Sequence, residues 1–125
     1  MKMSRQKLLG ALRGLQQERG LLVRRLSRDR EMAWGSVSVV RRKCGNPRCR
    51  CADGLGHPQT LFLFKDEKKG CRICKLVRRA DERRMLKAGE NYREFRAGIR
   101  RLRAIDSEET RILVAIAGGK AIRYE

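Results

Sequence analysis

Hydrophobic positions take three textures along the chain. Leu8, Leu12, Leu15, Leu22 and Leu26 recur at spacings of three, four and seven, which places them on one stripe of an α-helix. Ser4 stands where an N-cap belongs, so residues 1–34 read as a long helix. Gly10, Gly14 and Gly20 weaken it, each by about 1 kcal/mol relative to alanine. Gly10 and Gly14 could instead let another helix approach closely.

The pattern changes at Gly35. "GSVSVVRRK" alternates and is rich in β-branched residues, which predicts a strand over residues 36–42. A loop of Gly, Pro, Asn and Asp follows over 45–58. "TLFLF" and "CRICKLV" then flank "KDEKKG", predicting a β-hairpin with Gly70 at the end of its turn and Asp66-Glu67 at its tip.

From residue 80 the helical period returns. Met85, Ala88, Tyr92, Phe95, Ile99 and Leu102 repeat at alternating spacings of three and four, the a/d seam of a heptad pattern. Ile105, Ile112 and Ile116 extend it, unless Asp106-Ser107 caps a new helix. Gly118-Gly119 ends it, and residues 121–124 read as an edge strand or a tail.

Together these elements predict an α+β fold built as a single domain over residues 1–125. A long N-terminal helix (1–34) leads into a small three-stranded antiparallel sheet module (35–79), and a helical segment (80–125) completes it. Neither helix can hide its stripe alone. They are expected to pair as an antiparallel hairpin with the β module at one end, or else across a homodimer. Few aromatics are present, so leucine, isoleucine and valine must do most of the packing.

Charge narrows the partner. The formal net charge is +18, from 32 basic against 14 acidic residues, and arginines outnumber lysines 23 to 9. A compact chain of that charge repels itself unless a polyanion neutralises it, and arginine's planar fork suits phosphate and guanine. The excess is uneven: +6 over residues 1–34, +9 over 35–79 and +3 over 80–125. The expected nucleic-acid contacts therefore lie in the middle segment, at Arg41, Arg42, Lys43, Arg48, Arg50, Arg72, Lys75, Arg78 and Arg79. No apolar run reaches the length of a membrane span or a signal peptide core, so a cytoplasmic protein is expected.

Five cysteines with no export signal read as reduced thiols rather than a disulfide framework. Cys44, Cys49 and Cys51 crowd "KCGNPRCRC", and His57, the only histidine, follows six residues later. Zinc takes four soft or borderline ligands at tetrahedral corners, and a short loop can wrap it. The middle segment is short of apolar area, so a metal would add the stability its core lacks. Cys44, Cys49, Cys51 and His57 form one ligand set. The other, like a zinc ribbon, draws on Cys71 and Cys74, although strand alternation would send those two to opposite faces. A third reading leaves the thiols as small buried residues.

The stretch "GSVSVVRRKCGNPRCRCADGLGHP", with "TLFLF", "CRICKLVRR" and "ENYREF" after it, resembles a bacterial and archaeal family of unknown function. Its members carry a Gly-Ser-Leu…Arg…Cys-Gly-Lys-Pro-x-Cys-x-Cys…His-Gly-Pro pattern and look associated with transposase-like proteins and mobile elements. The resemblance implies a metal at Cys44, Cys49, Cys51 and His57, and nucleic-acid handling that leans towards DNA. Pro58-Gln59 departs from the Gly-Pro of that pattern, and Cys71 and Cys74 stand where other strand residues are usual.

Enzymatic routes find little support. A zinc deaminase needs His-x-Glu with Pro-Cys-x-x-Cys, which does not occur, and two-metal nucleases need clustered carboxylates, where the middle segment offers only Asp53, Asp66 and Glu67. Cys71 and Cys74 lack the βαβ setting of a thioredoxin-like pair. The expected function is a non-enzymatic, zinc-stabilised nucleic-acid-binding protein, an accessory subunit of a nucleoprotein complex or mobile-element machinery. DNA and structured RNA both fit. The alternative is an adaptor that docks a larger protein through the seam of Met85 to Leu102.

Overall fold

A computed structural model describes residues 3–125. The chain folds as α+β, with α1 (Arg5–Leu26), β1 (Ser36–Arg42), β2 (His57–Asp66), β3 (Cys71–Leu76) and α2 (Glu82–Gly118). Single 3₁₀ turns stand at Arg50–Asp53 and Arg79–Asp81. The described chain divides into two compact units. One combines residues up to Asp29 with Phe95–Glu125, and the other is Arg30–Glu94.

In the first unit α1 packs on the C-terminal part of α2. Ser4 accepts a hydrogen bond from the Lys7 N–H at 3.3 Å, capping α1 as the sequence predicts. Leu15 and Leu22 are buried with Ile105, whose exposure is 0 %, and Leu26, Leu102 and Ile112 pack around them. The helices run antiparallel, since Leu26 lies against Gly98 while Glu18 pairs with Arg101 at 2.7 Å. Arg19 joins both Asp106 and Glu109. These ion pairs flank the apolar stripe and range from part-buried to exposed.

Two sequence readings change, on the first helix's end and on which glycines are closely approached, and two open alternatives close. The first helix ends at Leu26 rather than reaching Trp34, and Met1 and Lys2 of the predicted span lie outside the described residues. The following segment satisfies its backbone elsewhere: the Ala33 N–H donates to the Ala88 carbonyl at 3.0 Å, and Asn91 Nδ2 donates to the Glu31 carbonyl at 3.1 Å. Asp106-Ser107 starts no new helix, because Ile105 beside it is fully buried and α2 runs on unbroken to Gly118. Close approach falls to α2's glycines instead of α1's. Gly10 and Gly14 face open space, whereas a Cβ at Gly98 would meet Leu26 at 2.4 Å and one at Gly89 would meet Val37 at 2.9 Å. Residues 121–124 form an exposed tail without strand pairing.

In the second unit the sheet order is β1-β2-β3, antiparallel throughout. The β2–β3 turn is organised by Asp66, whose Oδ1 accepts the Lys68 N–H at 2.9 Å, and the Gly70 N–H closes onto the Asp66 carbonyl at 2.8 Å. The strand predicted around "TLFLF" extends back to His57 and Pro58, which pair with Arg42 and Arg41. The loop is correspondingly shorter than predicted. One sheet face carries Val37, Thr60 and Phe62. Thr60 is 2 % exposed there, and Gly89 of α2 packs on Val37.

Urea denaturation checks this packing. Gly20→Ala, in open space on α1, is expected to stabilise by about 1 kcal/mol. Ile105→Ala is expected to destabilise by roughly 2–5 kcal/mol through the cavity it leaves. If the two shift the midpoint in the same direction, the assigned helix pairing is wrong.

Candidate metal centre and basic surface

The β1–β2 connection wraps back on itself between Arg42 and His57, which face one another across the ladder. Gly56 makes that return possible. Its φ is 91°, in the left-handed region that favours glycine. A Cβ there would lie 2.3 Å from the Arg42 carbonyl carbon. Asn46 organises the opposite limb: its Oδ1 accepts the Arg48 N–H at 3.0 Å, and its carbonyl accepts the Cys49 N–H at 3.0 Å. The 3₁₀ turn that follows drives Cys51 inward, to 7 % exposure.

These turns gather Cys44, Cys49, Cys51 and His57, whose donor atoms all lie within 4.8 Å of one another. Cys49 Sγ is 3.0 Å from His57 Nε2, and Cys51 Sγ is 3.4 Å from Cys44 Sγ. A tetrahedral ion with metal–sulfur bonds of about 2.3 Å holds its sulfurs about 3.8 Å apart. The Cys51–Cys44 separation falls short of that edge and no donor pair exceeds 4.8 Å, so the four donors are close enough to share one ion. The group is positioned to bind a metal.

The thiols are also prepared to ionise unequally. Cys44 is lowered to about 7, first by the Asn46 backbone N–H that its sulfur accepts, then by the neighbouring Cys51 and Cys49 thiols. The Cys51 sulfur accepts the Cys44 N–H at 3.3 Å, which favours its thiolate. Burial and the adjacent Cys44 and Cys49 sulfurs outweigh that bond and leave Cys51 raised. A divalent cation would remove the conflict, since it stabilises several thiolates at once.

Cys71 and Cys74 stand apart from this group, exposed on β3. Cys71 faces Asp66 and Cys74 faces Leu63, nine and six residues along β2 from His57. At about 3.3 Å per residue those steps span roughly 30 and 20 Å. Three positions apart on one strand, they also point to opposite faces.

The nine basic side chains singled out in the sequence are all exposed, but they do not share one surface. Arg41 and Arg42 end β1 on opposite faces, and Lys43, Arg48 and Arg50 adjoin the thiols in sequence. Arg41 Nη1 donates to the Gly56 carbonyl at 3.3 Å. Arg72 pairs across the sheet with Lys65, and Lys75 with Phe62; Lys75 Nζ also lies 5.9 Å from the Phe64 ring centre. Arg78 and Arg79 lie just beyond β3. Gly56 and Asn46 were not singled out in the sequence; "GLGH" and "CGN" are the turn signals that mark them.

Compared with protein-family models, curated proteins and solved structures, the chain matches none. No helix among the described residues is long and apolar enough to cross a membrane.

Metal content per chain, measured on purified protein, tests the centre. Cys51→Ser and Gly56→Val are expected to lose most of the bound metal, while Cys71→Ser retains it. Retention by Cys51→Ser, or loss from Cys71→Ser, would place the ion elsewhere.

Proposed function

We propose that the protein is a non-enzymatic nucleic-acid-binding module in which zinc clamps the β1–β2 loop and fixes its arginines for phosphate contact. The observation that carries the reading is the Cys44–Cys49–Cys51–His57 cluster, set in the segment with half of the excess charge. Three thiols and an imidazole are a common structural zinc set. With all four positions filled by protein no open site is left, which favours a clamp over a catalytic ion. When bound, the ion would supply fold stability and thiolate neutralisation.

Arg41, Arg42, Lys43, Arg48 and Arg50 cluster on and beside that loop, and they supply phosphate contacts of the kind that dominate nucleic-acid affinity. The resemblance to a mobile-element-associated family agrees with this role, in an accessory position within a larger nucleoprotein assembly. The adaptor alternative draws less support. Met85, Ala88, Tyr92, Phe95, Ile99 and Leu102 are each buried or half-buried, so the seam that would dock a partner is already used.

Binding of a fluorescent DNA duplex and a folded RNA hairpin, titrated against salt, checks the reading. Affinity is expected to fall steeply between 50 and 200 mM salt, by on the order of 10³-fold if about six phosphates are neutralised. Replacing Arg48 and Arg50 together by alanine should lower the salt slope by roughly 2. Absence of binding to either at low salt would reject the proposal.

A further inference from the structure

Away from the metal cluster, the second unit carries a cleft of about 500 Å³, within the roughly 300–1,000 Å³ span of small-ligand sites. Trp34, Phe62 and Met85 contribute apolar walls, and Lys75, Arg78, Arg84, Glu31 and Asp81 supply charged ones. Trp34 is 67 % exposed, and its ring packs against Tyr92 with centroids 5.3 Å apart at 31°. A large indole backed by a second ring and still mostly open to solvent is a stacking platform.

We propose that this cleft receives one unpaired base of a nucleic acid, stacked on Trp34, with the flanking phosphates on Lys75 and Arg78. The proposal rests on the nucleic-acid reading above and deepens it, since it requires bases free of a duplex. Charge decides which part of a nucleotide enters. The Glu31 carboxylate, held by Arg84, and Asp81 disfavour a phosphate beside them and tolerate a neutral base. Lys75 and Arg78, both exposed, attract the phosphodiester. Aromatic walls beside exposed cations are the features by which single strands are bound without sequence preference.

Trp34 is the chain's only tryptophan, so its fluorescence reports occupancy of the cleft directly. The full-length wild-type protein is titrated at low salt with a twelve-nucleotide oligo-dT, an abasic oligomer carrying the same number of phosphates, and a DNA duplex. Oligo-dT is expected to quench the emission and to bind about tenfold more tightly than the abasic oligomer, the increment of one stacked base. Trp34→Leu is expected to remove that preference while leaving duplex affinity within about twofold; circular dichroism checks that the variant folds. Equal binding of oligo-dT and abasic oligomer with unchanged emission would overturn the base site, leave the cleft to an apolar peptide, and spare the nucleic-acid reading. Failure of all three probes to bind would reject both.

Discussion

Gly56 turns the chain with a positive φ and sets its backbone against the carbonyl of Arg42, where any side chain would collide. His57 then begins β2 directly opposite Arg42. That one close approach fixes the metal cluster, because it delivers the imidazole to the end of β1 where Cys44 follows. It fixes the sheet as well. A ladder that starts at Arg42–His57 runs to Ser36–Leu63 without a slip, and β3 takes its register from the same strand. A slip of one residue would send His57 to the other face and move Phe62 off the buried side.

The two compact units differ in what holds them. The helical unit has Ile105, the one large side chain fully buried among the described residues, with Leu15 and Leu22 around it. In the second unit the most buried positions are Ala33, Cys51, Thr60, Ala88 and Asn91, which are small or polar and bury little apolar area. At about 25 cal/mol per Å², such positions contribute far less than a set of leucines would. A bound ion would answer that shortage where it is greatest, in the loop with least regular structure.

Much of this was legible in the sequence, for identifiable reasons. Strand β1 begins and ends where alternation and β-branching place it. The helix pairing follows from leucine and isoleucine stripes that cannot be satisfied alone. The first helix's end was not legible. Residues 31–33 carry no breaker, and they leave the helix because Ala88 and Asn91, more than fifty positions away, take up their backbone groups. The glycine contacts were hidden for the same reason: spacing shows where a helix could be approached, not what approaches it. The choice between ligand sets was closer to hand. Cys71 follows the hairpin turn "KDEKKG", so it stands at the far end of the sheet from any loop joining β1 to β2. The turn's place in the sequence already separates "CRIC" from "CRC".

Thiols in the most basic stretch of the chain make physical sense once their charges are counted together. Three thiolates around a divalent cation carry a net charge of −1, so the cluster offsets only one of the five cations at Arg41, Arg42, Lys43, Arg48 and Arg50. The surrounding guanidinium and ammonium groups favour the thiolate form, and the surface stays strongly positive. The arginines gain order from the same arrangement. Arg50 lies between Cys49 and Cys51 and Arg48 precedes Cys49, so anchoring the thiols to one centre would fix the backbone on both sides of Arg50 and on one side of Arg48. A loop ordered in advance loses less conformational entropy when it meets phosphates. On the proposed reading, metal affinity and polyanion affinity are therefore coupled through the loop, although the ion itself need touch no phosphate.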